Sequence, residues 1–314
     1  LKKVMKMFDG FSRKIDYLRL SVTDRCNFFC MYCRTKDLCS ESSSQLSEEE
    51  IFRIISAFKK LGIQKLRITG GEPFLRDDIF GIIEFANKIG IENINITTNG
   101  WLDSEKIKKI IKSPLKSINI SLDTLDREKY KFVTGIDGLD KVLETIEELK
   151  EHKKVKINTV LIRSVNLDEI KDLIFFAKKN NIIIRFIELM PIGVANQIFK
   201  DEFVSKDDVI KRFKRIKEIG TEEVSAAKYY YIEDFDYTVG FISSVSDHFC
   251  KTCNKVRVSS TGVLYNCLFD KTGLSLRDFL NDEALLLKKI EDFVKKKKLI
   301  RSLESDMPMF RIGG

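Results

Sequence analysis

The chain has 314 residues, 43% of them hydrophobic and 32% charged, enough apolar material for one large core or two domains. Apolar runs such as Ile182 to Ile184 and Ala284 to Leu287 fall far short of the ~20 residues of a membrane span, and Leu1 to Phe8 is basic without the apolar stretch of a signal peptide, so a cytoplasmic location and no membrane partner are expected. The net charge of +8 is spread along the chain, with one lysine run from Lys295 to Lys298 that reads as solvated surface; such a balance suits a nucleoside triphosphate as well as a nucleic acid.

From Tyr17 to about Met190, short β-branched runs alternate with longer amphipathic stretches, the signature of repeated βα units. Six strands are predicted, at Tyr17 to Val22, Lys65 to Thr69, Asn93 to Thr97, Ser117 to Ser121, Val155 to Ile162 and Ile183 to Glu188. Ser47 and Glu50 form a capping-box pattern for the first helix, Gly62 fits its end, and Ile51, Ile54, Ile55, Phe58 and Leu61 fall on one face that packs on the sheet. Near-continuous apolar strands imply a parallel sheet covered by helices, either an open doubly wound sheet or a curved partial barrel; the pattern leaves both open. After about Gly193, the stretches Lys228 to Ile232, Tyr237 to Ile242, Lys255 to Ser259 and Val263 to Asn266 read as antiparallel strands, so the chain divides into 1–192 and a smaller C-terminal β region, 193–314.

Chemistry gathers after the strands. Directly behind the first lies Cys26-Asn27-Phe28-Phe29-Cys30-Met31-Tyr32-Cys33, three thiols within eight residues. Thiolates are the usual ligands of iron–sulfur clusters, and three of them leave a fourth iron free for a small molecule. A zinc site would want a fourth ligand; Cys39, in a separate segment, reads as incidental. Behind the second strand, Thr69-Gly70-Gly71-Glu72-Pro73 pairs glycines that allow close backbone approach with a carboxylate that can accept from an ammonium group. Later strand ends carry Thr97-Thr98-Asn99-Gly100, Ser121-Leu122-Asp123, Lys156-Ile157-Asn158 and Arg185 to Met190, and in parallel barrels catalytic groups come from the carboxyl ends of several strands. A second cysteine group, Cys250, Cys253 and Cys267, again offers three thiols; His248 could complete a zinc site there. In a reducing compartment two such groups point to two metal sites rather than disulfides.

The CxxxCxxC loop, with Tyr32 before its last cysteine, and the Gly-Gly-Glu-Pro segment resemble those of the radical S-adenosylmethionine enzymes. Phe241 to Phe269, together with the terminal Gly313-Gly314, resembles the GTP 3′,8-cyclase family, and the likeness runs from Arg19 to the C-terminus. It implies a partial (β/α)6 barrel of the TIM type and two 4Fe-4S clusters, on Cys26, Cys30 and Cys33 and on Cys250, Cys253 and Cys267. It also implies S-adenosylmethionine near Tyr32, Gly71, Glu72, Ser121, Asn158 and Met190. GTP is implied as substrate, contacted by Arg19, Lys65, Arg67, Thr97, Lys156, Lys255, Val256 and Arg257, with Lys156, Arg185 and Arg257 in catalytic roles. Strand alternation puts Lys65 and Arg67 on one face; the plainer reading pairs some cations with nearby acids, such as Arg185 with Glu188.

By resemblance, a 5′-deoxyadenosyl radical takes hydrogen from ribose C3′ and the carbon radical closes on guanine C8, giving 3′,8-cyclo-7,8-dihydro-GTP, the first step of molybdenum cofactor biosynthesis. The same likeness implies a low-potential electron donor, a downstream cyclic pyranopterin monophosphate synthase, a homodimer, and insertion of the Gly-Gly tail into the active site. Lys255 stands where many family members carry arginine, and Arg34 to Leu38 replaces a common methionine-proline. The rival readings are a peptide- or porphyrin-modifying radical enzyme, which usually carries more C-terminal cysteines, and an RNA-binding metal protein, for which no aromatic stacking cluster on a basic face is found, so no nucleic-acid partner is expected.

Overall fold

Each of the six predicted βα strands exists in the computed structural model, which describes residues 5–34, 44–220, 226–302, 304–309 and 312. They are β1 (Tyr17–Ser21), β2 (Lys65–Thr69), β3 (Asn93–Thr98), β4 (Ser117–Ser121), β5 (Lys154–Leu161) and β6 (Ile183–Glu188). The main helices between them are α1 (Glu48–Lys60), α2 (Ile79–Lys88), α3 (Ser104–Lys112), α4 (Arg127–Thr134), α5 (Leu139–Lys150), the single turn α6 (Arg163–Asn166) and α7 (Ile170–Lys179). The capping box at α1 is complete: the Ser47 hydroxyl accepts from the Glu50 N–H at 3.2 Å, and the Glu50 carboxylate accepts from the Ser47 N–H at 2.8 Å. Its buried face is Ile51, Ile54, Ile55, Ala57 and Phe58.

The strands are less uniformly apolar than the sequence reading holds. They alternate strictly. Leu18, Leu66, Ile96, Ile118, Ile157 and Phe186 turn outward and are fully buried in the core formed with the helices. Their neighbours Arg19, Arg67, Thr97, Asn119, Lys156 and Arg185 turn the other way and border a cavity. Helices therefore cover one face only and a chamber occupies the other, which selects the curved partial barrel over the doubly wound sheet.

Behind β6 follow the short helices α8 (Phe199–Glu202) and α9 (Lys206–Ile210), then β7 (Ile216–Ile219), β8 (Lys228–Ile232), β9 (Tyr237–Ile242), β10 (Lys255–Val258), β11 (Val263–Tyr265), β12 (Leu274–Ser275) and α10 (Glu283–Val294). The expected antiparallel pairs are present, β7 with β8, β8 with β9, β10 with β11 and β11 with β12. They do not stand apart, however. All twelve strands form one sheet in the order β12-β11-β10-β1-β2-β3-β4-β5-β6-β9-β8-β7. At the seams β9 runs parallel to β6 and β10 parallel to β1, so 193–314 extends the barrel on both flanks. Pairings between strands so distant in sequence leave no local trace, so the reading from sequence missed them.

The lysine run at 295–298 is also not simply solvated surface, since Lys297 is only 4% exposed. Its ammonium donates to the backbone carbonyls of Lys255, at 3.0 Å, and Asn266. No helix among the described residues is long and apolar enough to cross a membrane.

Adjacent residues on opposite faces of β4 give a direct test. Ile118→Ala should lower the unfolding free energy by about 2–5 kcal/mol through lost burial and a cavity, whereas Asn119→Ala should change it by less than about 1 kcal/mol, because Asn119 faces the chamber with its Oδ1 unpaired. Urea unfolding monitored by circular dichroism distinguishes the two.

Candidate active site

One cavity of about 720 Å³ takes in the inward faces of β1 to β6 and all six described cysteines. Its ends differ in chemistry, and the strand register says how they are placed. The first cysteine loop leaves the carboxyl end of β1. Cys250 and Cys253 precede β10, which runs parallel to β1 with Lys255 opposite Tyr17, so they lie at the amino end. β11 returns antiparallel, Tyr265 opposite Arg257, and delivers Cys267 to that same end. The two thiol groups thus face each other along the strands, across five residues of β1, roughly 17 Å.

The first loop is held by four elements. The Phe29 and Met31 N–H groups donate to the Thr134 and Val133 carbonyls at the end of α4, both at 2.9 Å. The Cys33 N–H closes a turn on the Cys30 carbonyl at 2.8 Å. The Tyr32 hydroxyl donates to Asp123 Oδ2 behind β4 at 2.7 Å, and Asn99 behind β3 donates to Asn27 Oδ1 at 2.7 Å. The glycine pair behind β2 completes the fastening: the Gly71 N–H donates to the Thr23 carbonyl at 2.7 Å, and a Cβ on Gly71 would lie 2.1 Å from the Arg25 carbonyl oxygen. Only glycine fits that approach. Burial pushes the thiols up, Cys26 to about 11, Cys33 to about 12 and Cys30 well above its ordinary value.

Gly71, Tyr32, Ser121, Asn158 and Met190 border the cavity. Glu72 lies behind its wall, 1% exposed, and its carboxylate accepts from the Phe74 N–H at 3.0 Å, the Thr98 hydroxyl at 2.9 Å and the Asn99 N–H at 2.7 Å. The side chain shapes the turn after β3 instead of reaching an ammonium in the cavity. Val256 is likewise fully buried away from it.

Cations fill the middle and the amino end. They do not crowd at the carboxyl-end mouth; they form layers set by register. Lys255, Tyr17 and Lys65 stand side by side in one, and Arg257, Arg19 and Arg67 in the next. Lys156, level with Asn119 and Thr97, and Arg185, level with Asn158, continue around the wall. Among the described residues no carboxylate forms an ion pair with Lys65, Arg67, Lys156, Arg185 or Lys255. The expected Arg185–Glu188 pair is not formed: Arg185 donates to Asn158 Oδ1 at 2.7 Å, while Glu188 accepts from the N–H groups of Val245, Ser246 and Lys206, each at 2.9 Å. Burial, with Arg185 adding to it, brings Lys156 down to about 8, and burial with Arg257 brings Arg19 down to about 9. A cluster of like charges facing a cavity is built for an anion.

The second thiol group sits in that positive field. Burial works against ionisation of Cys253, but Lys297, Lys255 and Arg257 outweigh it and hold the thiol below its ordinary value, whereas burial raises Cys267. His248 borders the cavity too. Among the described residues no three metal-ligating side chains gather at a single-ion position; the thiolates of a four-iron cluster each bind a different iron and are spaced around a larger body. Cysteines in threes, unpaired among the described residues, together with buried polar atoms that lack partners there, Arg185 Nε, Asn119 Oδ1, Ser244 Oγ and Asn266 Oδ1 at the cavity wall, suit clusters and a polar ligand. Cys39, Thr35 to Leu38, Gly313 and Gly314 lie outside the described residues.

Three residues at the site went unnoticed in the sequence as parts of it: Arg301, Lys297 and Tyr17. Arg301 borders the cavity, its guanidinium 3.9 Å from the Phe269 ring centroid and donating to the Ser244 carbonyl at 2.8 Å. Lys297 fastens the second cysteine group as described above, and Tyr17 sits within the cations. Tyr17 alone had a usable signal, since it alternates in step with Arg19 in β1.

The family model described as Radical SAM superfamily matches residues 20–177, and that described as Molybdenum Cofactor Synthesis C matches 182–303. Curated relatives named GTP 3′,8-cyclase include one from Clostridium perfringens (strain SM101), 42% identical over 98% of this chain and all of that one, and one from Clostridium botulinum (strain Hall), 37% identical with the same coverage. Among solved structures, native anSMEcpe with bound AdoMet aligns with a TM-score of 0.63 at 18% identity, over 90% of this chain and 83% of that one. Streptococcus suis SuiB bound to S-adenosylmethionine aligns with a TM-score of 0.60 at 18% identity, over 92% and 69%. These two likenesses speak for the fold.

Burial raises Glu72 from 4.5 to about 7. The folded state therefore holds a proton that the unfolded chain releases, and stability from this group is full below about pH 4.5 and lost as pH rises through about 7. Removing the titration with Glu72→Gln should flatten the fall in apoprotein stability between acid and neutral pH by about 3 kcal/mol, measured as urea midpoints at several pH values; parallel profiles would contradict it.

Proposed function

The chain belongs to the radical S-adenosylmethionine superfamily and, within it, to the GTP 3′,8-cyclases, and from that premise we propose what its own residues do. The chain is an enzyme of molybdenum cofactor biosynthesis that cyclises GTP. The observation that carries the assignment of parts is that two thiol groups stand at opposite ends of one cavity with layers of cations between them.

Bound at Cys26, Cys30 and Cys33, a 4Fe-4S cluster with S-adenosylmethionine supplies the radical chemistry that removes hydrogen from ribose C3′. Tyr32, tied to Asp123, fixes the loop beside the cofactor, and Gly71 offers backbone without a side chain in the way. Ser121, Asn158 and Met190 bound the cofactor's half of the cavity, and Glu72 acts through the turn it holds. Arg19, Lys65, Arg67, Lys255 and Arg257 hold the triphosphate, arginine forks giving paired hydrogen bonds and the lysines point charge. Thr97 adds a hydroxyl, and Val256 offers its backbone. Lys156, brought close to neutral pH in acidity, holds or releases a proton at Nζ near the ribose, with Arg185 and Arg257 steadying charge as C8 bonds to C3′. Holding the two carbons in contact is the larger part of the protein's contribution.

Cys250, Cys253 and Cys267 would hold a second 4Fe-4S cluster, three thiolates leaving one iron available to supply Lewis-acid chemistry toward the substrate base, a reading supported by the family and by the position of these thiols at the amino end of the cavity. The Gly-Gly tail entering the site, a low-potential donor, the cyclic pyranopterin monophosphate synthase that takes the product, a homodimer and a cytoplasmic location, where unpaired cysteines persist, complete the reading on family grounds.

Anaerobic turnover tests the substrate. With iron, sulfide, dithionite, S-adenosylmethionine and GTP, mass spectrometry should find 5′-deoxyadenosine together with cyclised GTP, and neither with ATP; 5′-deoxyadenosine with unchanged GTP would sink the assignment. Iron analysis tests the second cluster: Cys253→Ala with Cys267→Ala should reduce the reconstituted protein from about eight irons per chain to about four, and an unchanged count would remove that cluster.

A further inference from the structure

Tyr17 has no part in the roles above, yet it stands at the centre of the amino-end layers. Its hydroxyl accepts from Arg67 Nε at 2.6 Å. The Lys65 ammonium lies 4.8 Å from its ring centroid and the Lys255 ammonium 5.5 Å, each within cation–π range. The same two lysines flank it in register, from β2 on one side and β10 on the other. Three cations from two neighbouring strands thus share one aromatic side chain, itself 6% exposed.

We propose that Tyr17 is a positioning residue of the triphosphate site, its oxygen aiming Arg67 and its ring holding Lys65 and Lys255, so that the cations are arranged before the anion arrives. Adjacent strands bring these side chains as close as roughly 5 Å in backbone spacing, where like charges repel and long side chains would turn away from one another. An acceptor oxygen and a π-face in their midst offset that repulsion without placing a carboxylate among the cations. Preorganisation of this kind improves affinity by reducing the ordering that the ligand must impose. The acidity of the phenol agrees with the geometry: burial would raise it, but Arg67, Arg19 and Lys65 outweigh burial and bring it down to about 7.

The inference rests on the GTP reading only for the identity of the polyphosphate, so inorganic tripolyphosphate is the probe that separates the two. In calorimetry on the iron-loaded protein, Tyr17→Phe should weaken tripolyphosphate binding roughly tenfold, the loss of one hydrogen bond to a charged group, and leave guanosine binding unchanged. In turnover it should raise KM for GTP by a similar factor with kcat within about twofold. On an Arg67→Met background the same substitution should add almost no further loss, since the oxygen's partner is gone. Tyr17→Leu, which also removes the ring face, should weaken tripolyphosphate further than Tyr17→Phe. Unchanged tripolyphosphate affinity in Tyr17→Phe overturns the inference, as does an equal loss for tripolyphosphate and guanosine accompanied by a lower melting temperature. If Tyr17→Phe weakens tripolyphosphate while the parent protein leaves GTP untouched, the positioning role stands and the substrate reading falls.

Discussion

Each of β1 to β6 and β10 turns leucine, isoleucine or valine outward onto the helices and arginine, lysine, asparagine or threonine inward. The side-chain period of a strand is two, so a slip of one residue in any register would expose the apolar set to the chamber and bury the cations under the helices. Hydrophobic burial on the outside therefore fixes the chemistry on the inside. Closed barrels of this general type fill their interior with branched apolar side chains; here the interior is polar, and what would be core becomes a binding chamber. The helices and their buried faces carry the stability, leaving the inward residues free to be arranged for a ligand.

The sheet's flanks complete that chamber. With β10 beside β1, the arginines of three strands come level, Arg257, Arg19 and Arg67. The same pairing sets the distance between the cysteine groups, because one precedes a strand that runs alongside the strand the other follows. Two buried charged side chains keep the connecting loops in place. Glu188 at the end of β6 gathers the N–H groups of Val245 and Ser246, and Lys297 behind α10 bridges the Lys255 carbonyl, just after Cys253, and the Asn266 carbonyl, just before Cys267. Each spends its charge mostly on backbone, and among the described residues neither forms an ion pair.

Much of this was legible in the sequence. The six strands, the complete capping box at Ser47, both cysteine groups and the glycine pair are local signals, and each lies within a few residues of its expected place. The cavity also takes in nearly every residue expected to bind cofactor or substrate, Glu72 and Val256 excepted. What sequence did not reveal is non-local. Nothing in Lys255 to Val258 tells that it pairs parallel to β1, and nothing in the run at 295–298 tells that its third lysine is buried while the others are not. Arg185 and Glu188 look like partners at three residues' separation, but on a strand positions three apart point to opposite faces. The alternation itself was visible in Tyr17-Leu-Arg-Leu-Ser and Lys65-Leu-Arg-Ile-Thr; reading such strands as apolar with polar interruptions concealed the inward face, and Tyr17 with it.

The parallel seam between β1 and β10 has a consequence for how the molecule is made. On a ribosome, β1 emerges early and acquires β2 on one side, but the hydrogen-bonding groups of its other edge have no partner until position 258 has been synthesised. Throughout that interval the nascent sheet keeps an unpaired edge strand, the feature that invites association with other chains, and the contact that closes it is among the slowest kinds to form, because it spans most of the polypeptide. Over the same interval the loop bearing the first three cysteines stands beside a half-built wall, still reachable by whatever delivers iron and sulfide. Completion of the last strands then encloses the site as it caps the edge, so assembly of the sheet and closure of the chamber are a single event.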